Sequence, residues 1–229
     1  MGGVEQLEPL FVVPFDVDEQ GLESLRDSEA IVGDTLIPVL LRQNRLALSK
    51  GKTLLVPTPP GADPGLAYYD ATLSCVVHAH PECQFRWARL VVDLSSTPGA
   101  RIRDMVPREV RGDRPVELKT TISLGLKFET IAKVIGGEVR PEVSTSRTAY
   151  FPEIISSGVN LASGYWDFLS GASEHLHADR ELRLLISAPT GALLSARFRL
   201  NAKVALRGLP GLIPIFVRTG GIDEAYRLI

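Results

Sequence analysis

The sequence predicts a mainly β protein: an antiparallel β-sandwich with one or two short helices, a closed barrel being the alternative architecture. Three observations carry that reading. Apolar residues recur at every second position in several segments, which is the period of a strand with one buried face. Gly- and Pro-rich turn signals separate those segments. Apolar residues make up 45% of the 229 and charged residues 23%, enough aliphatic surface to bury a core and too much for a disordered chain.

The elements follow in order. Residues 9–17 (PLFVVPFDV) read as a buried strand, with Pro14 placing it at an edge or a bend. Residues 18–33 are acidic, with Leu22, Leu25 and Ile31 near helical spacing, and read as a short helix weakened by Gly21. Residues 35–57 read as short strands, because Pro38 and the turn at Ser49-Lys50-Gly51 break a helix. The run VPTPPGADPG (56–65) holds four prolines and two glycines and divides the chain: 1–55 as an N-terminal segment docked on the main body, 56–65 as a linker, 66–229 as the sandwich domain.

Within that domain residues 67–79 alternate, with Ala67, Tyr69, Ala71, Leu73, Cys75, Val77 and Ala79 on one face and Asp70, Thr72, Ser74 and His78 on the other, Val76 being the one apolar exception. Residues 84–94 form the next strand. Residues 116–128 set Ile122, Leu124, Leu126 and Phe128 against Thr121, Ser123, Gly125 and Lys127. Residues 181–188 and 192–206 both bury even-numbered positions, so the sequence predicts that they pair as a hairpin through an odd loop at Pro189-Thr190-Gly191.

Net charge is −2 and the pI about 6.1, without the positive excess that phosphate tracking needs, so no nucleic-acid partner is expected. The N-terminus carries no apolar leader, and Gln6 breaks the myristoylation pattern that Gly2 opens. Only Cys75 and Cys83 are present, too few for a secreted disulfide scaffold; the expected location is the cytoplasm. Arg111-Gly112-Asp113 reads as a turn rather than an adhesion motif. Phosphate loops, dinucleotide fingerprints, His-Glu-x-x-His and nucleophile elbows are missing, so the balance leans away from an enzyme.

Three functional readings remain. The leading one is a non-enzymatic binding or interaction module with a protein partner, its candidate contacts being Phe85, Trp87, Tyr165, Trp166 and Asp167, since Trp and Tyr concentrate at recognition hot spots. The second is a membrane-active β protein inserting a hairpin, residues 115–150, folded about Gly136-Gly137. Its first arm alternates as a membrane strand does; its second arm is interrupted by Pro141 and Arg147. The third is a zinc protein or zinc hydrolase. All four histidines fall in His-x-His pairs, His78/His80 and His175/His177, and residues two apart on a strand present both imidazoles on one face. Cys83 and Asp179 are further candidate ligands. A Cys83–His80 nucleophile lacks any feature that would depress the thiol pKa.

Overall fold

The structure, a computed structural model, describes residues 7–14, 16–17, 45–78, 83–123, 126–131, 143–170, 180–206, 213–217 and 225–229. These form β1 (Glu8–Pro14), β2 (Asp16–Val17), β3 (Arg45–Lys50), β4 (Leu54–Val56), β5 (Leu66–His78), β6 (Cys83–Asp93), β7 (Arg101–Val106), β8 (Glu109–Ser123), β9 (Leu126–Ile131), β10 (Val143–Ser157), β11 (Ser163–Leu169), β12 (Arg180–Pro189), β13 (Ser195–Leu206), β14 (Ile213–Val217) and β15 (Tyr226–Arg227). No helix occurs among the described residues; the helix expected at 18–33 and the turn at Gly136-Gly137 lie outside them.

Two antiparallel sheets face each other and do not close into a barrel. The first runs β1-β3-β5-β12-β7, with β4 also on β5; the second runs β2-β14-β13-β6-β11-β10-β8-β9. Residues 57–65 form the loop that returns the chain from β4 to its own neighbour β5.

The core is built from the alternation. β5 contributes Ala71, Leu73 and Cys75, β12 Leu182, Leu184 and Ile186, β13 Ala196, Phe198, Leu200, Ala202 and Val204, and Leu194 just before β13 joins them, all buried. Trp166 and Phe168 of β11 are fully buried among them. Each such large side chain contributes roughly 1.5–3 kcal/mol of apolar burial. Burial pushes the Cys75 thiol up to about 12, so it stays protonated and inert at neutral pH.

One predicted pairing is corrected. β12 and β13 do not form a hairpin: β12 pairs with β5 and β7, whereas β13 pairs with β6, β14 and β15 in the opposite sheet. The loop chemistry holds, with Gly191 at φ 80° and Ala192 N–H donating to Pro189 O at 3.0 Å. The loop is an arch between layers. Parity requires only that both strands bury even positions in one core, and facing sheets satisfy it as well as neighbouring strands do.

A second correction concerns residues 115–150. The strand expected to run straight through 116–128 ends at Ser123, and β9 folds back along β8 with Leu126 opposite Ser123 and Ile131 opposite Leu118. β8 therefore lies between β9 and β10, so among the described residues the segment forms three strands rather than a simple hairpin.

Candidate functional site

The solvent face of the second sheet is organised by one β-bulge. Along β6 burial alternates until Arg86 and Trp87, two successive residues outside the core. The register with β13 slips there, Lys203 pairing with Trp87 and Val204 with Phe85, which leaves Arg86 as the extra residue. Phe85 thus points into the core while Trp87, two residues on, stands on the outer face. From Ala88 onward even positions are buried, so Arg89 follows Trp87 outward.

β11 brings the partner residues alongside. Asp167 is registered with Arg89 and Leu169 with Trp87. Arg89 donates from Nε to Asp167 Oδ1 at 2.7 Å and from Nη2 to Oδ2 at 2.6 Å, a two-pronged ion pair. Its guanidinium lies over the Tyr165 ring at 3.9 Å and near the Trp87 ring at 5.5 Å, and Lys203 Nζ is 5.8 Å from the same Trp87 ring. The bond to Asp167 raises the Arg89 pKa above its ordinary value, against a smaller opposing effect of burial. The cluster is a half-buried stack of two rings and the Arg89 guanidinium seated on a carboxylate, with the exposed Lys203 at its side.

The five candidate binding residues therefore divide. Trp87, Tyr165 and Asp167 come together on the outer face; Phe85 and Trp166 are core residues, 3% and 0% exposed. Arg89 and Lys203 complete the cluster and were not singled out from sequence. Their signal was available for Lys203, which alternates outward along 192–206, but nothing local pairs Arg89 with a residue 78 positions away.

Of the proposed zinc ligands, His78 closes β5 opposite Arg45. His80, His175, His177 and Asp179 lie outside the described residues. Cys83 is buried in the core. Among the described residues no group of three or more His, Cys, Asp or Glu side chains is gathered to hold a metal ion.

The second region of interest is the ribbon formed by β8 and β10, both 15 residues long. Among the described residues β10 pairs with β11 over Ile154–Ser157 alone; from Val143 to Tyr150 it pairs with β8. Between the two stretches the register is broken. Pro152 is opposite Arg111 and Tyr150 opposite Pro115, so residues 112–114 of β8 face the single residue 151 of β10. The Arg-Gly-Asp tripeptide falls in this joint. Past it the register is regular: positions 116, 118, 120 and 122 (Val, Leu, Thr, Ile) match 149, 147, 145 and 143 (Ala, Arg, Thr, Val). Positions 117, 119 and 121 (Glu, Lys, Thr) match 148, 146 and 144 (Thr, Ser, Ser).

No family model matches the chain, and no curated protein does. Among solved structures it is similar to the delta-toxin of Clostridium perfringens, at 11% identity and a TM-score of 0.31 over 80% of this chain and 82% of that one. It is similar also to a pore forming protein, at 11% identity and a TM-score of 0.29 over 81% of this chain and 85% of that one. Likeness at this level defines no family.

Proposed function

We propose that this is a membrane-active β protein in which the β8–β9–β10 segment refolds into a longer amphipathic hairpin at a bilayer. One observation carries the reading: in the sequence, the alternation of β8 continues past its end at Ser123 and into β9 without a change of phase. Val116, Leu118, Ile122, Leu124, Leu126 and Phe128 all hold even positions, as one uninterrupted strand requires. The folded register does not use that phase. It sets Lys127 opposite Ile122 and Phe128 opposite Thr121, mixing apolar with polar across the pair. A local pattern at odds with the fold points to a second state in which it is satisfied.

Straightened, residues 116–128 extend roughly 40 Å at about 3.4 Å per residue, enough for a hydrocarbon core of about 30 Å crossed at a tilt. The β8–β10 register, continued, would set Leu126 against Val139, with Pro141 the one position lacking an N–H for the ladder. The irregular joint at 111–115 and 150–152 gives the ribbon a place to turn relative to the sandwich.

The test is a disulfide across the turn. Lys119 and Thr130 are Cα partners, so Lys119→Cys/Thr130→Cys, once oxidised, ties β9 to β8. The proposal expects dye release from liposomes by the wild type, none by the oxidised variant, and recovery on reduction. Equal release before and after reduction would overturn refolding of this turn; no release by the wild type from any vesicle, including after limited proteolysis, would overturn membrane activity itself.

The stacked cluster on the outer face favours a second reading, a non-enzymatic binding module that takes a protein partner. A soluble partner captured through Trp87 and Tyr165, by a protein inert toward vesicles, would select it.

A further inference from the structure

The outer face of β13, β6 and β11 carries a charge balance opposite to that of the chain. Arg86, Arg89, Arg197, Arg199 and Lys203 stand there against Asp93 and Asp167, while the whole chain is at −2. On the adjoining β10, Glu153 adds one carboxylate, so the excess stays positive. Two of the seven charges, Arg89 and Asp167, neutralise each other in the two-pronged pair. Arg199 is mostly exposed and only loosely held to Asp93, at 4.0 Å, and Lys203 is exposed over the Trp87 ring.

Exposed cations beside half-buried Trp and Tyr match the chemistry of a lipid headgroup layer. Amphipathic rings settle at that depth, and exposed Lys and Arg are drawn to anionic lipid within a Debye length. The platform also shares its sheet with the ribbon: β11 pairs with β6 on one side and with β10, which continues into the ribbon, on the other. A bilayer held against this face is therefore brought beside the segment that would enter it.

We propose that the Trp87–Arg89–Tyr165–Lys203 face is the surface by which the protein docks on an anionic lipid bilayer. This rests on the membrane-active reading for its biological sense, but docking is measured separately from leakage.

The experiment is co-sedimentation of the full chain with phosphatidylcholine vesicles, with and without phosphatidylserine, beside dye release from the same vesicles. Wild type should sediment with the phosphatidylserine vesicles and lose binding as salt rises. Arg199→Glu/Lys203→Glu changes exposed side chains. Each basic residue near such a surface is expected to contribute about fivefold in binding, so the double reversal should weaken it by at least ~25-fold. Trp87→Ala should weaken it further. Lys52→Glu, an exposed cation outside this face, should not. Equal sedimentation of wild type and the double variant, or equal binding to both vesicle types, overturns the docking surface. Docking by wild type that is lost in the double variant supports it even where no dye escapes, in which case the membrane-active reading fails and the docking surface stands.

Discussion

Arg89 is held by contacts of two kinds, a pair of charge-assisted hydrogen bonds to Asp167 and the ring face of Tyr165. Its side chain is still about a third exposed, 35% against 14% for Asp167, so water screens part of the attraction. The two substitutions are therefore unequal. Arg89→Ala should lower stability by about 1–2 kcal/mol, since it removes the ring contact as well and leaves the more buried carboxylate without its partner. Asp167→Asn keeps the shape and the ring contact, and should lower stability by less, about 0.5–1 kcal/mol. Urea unfolding of the two single variants and the double variant measures the coupling. A double variant whose loss equals the sum of the singles would show that the pair contributes nothing of its own.

At the scale of elements, the two sheets are brought together where β7 crosses β11. Gly164 is fully covered there: a Cβ on it would lie 2.8 Å from Ile102 Cδ1, 2.9 Å from Met105 Sδ and 2.9 Å from the Ser157 carbonyl oxygen. The carbonyl belongs to the paired strand β10 and cannot move aside cheaply. Gly164→Ala should destabilise the fold by about 1–3 kcal/mol, read as a lowered urea midpoint with an unchanged slope; an unchanged midpoint would mean that the sheets part there without loss. Elements of this kind were legible in the sequence to different depths. The strands β5, β12 and β13 followed from parity, because one buried face imposes period two on each strand by itself. Their partners did not follow, because parity is silent on whether two strands meet edge to edge or face to face, and β12 and β13 meet face to face. The bulge at Arg86 was written in the switch from odd Phe85 to even Ala88, Leu90 and Val92, yet the two aromatics look equivalent until the switch is placed. Arg89 and Asp167 meet only through the β6–β11 pairing, which nothing near either residue specifies.

For the whole molecule the strand pairing implies two zones of unequal stability. β6 lies between β13 and β11, and β12 between β5 and β7, with inward residues packed against the opposite sheet. Among the described residues β9 is the end strand of its sheet and pairs with β8 alone, and Val143–Tyr150 of β10 pairs with β8 alone. The joint at 111–115 and 150–152 interrupts the ladder that would otherwise transmit the stability of the sandwich into the ribbon. Opening of the ribbon should therefore occur without unfolding of the sandwich. Native-state hydrogen exchange tests this directly. Amides of β6 and β12 should exchange only at the global unfolding free energy, amides of β9 first of all, and those of β8 beyond residue 115 at an intermediate and shared value. Leu118→Asp adds a charge within the ribbon; it should lower protection in β8, β9 and β10 while leaving β6 and β12 unchanged, and it should abolish dye release. Protection that falls equally in both zones would mean that ribbon and sandwich unfold as one unit, and a ribbon so coupled has no inexpensive route to the straightened hairpin.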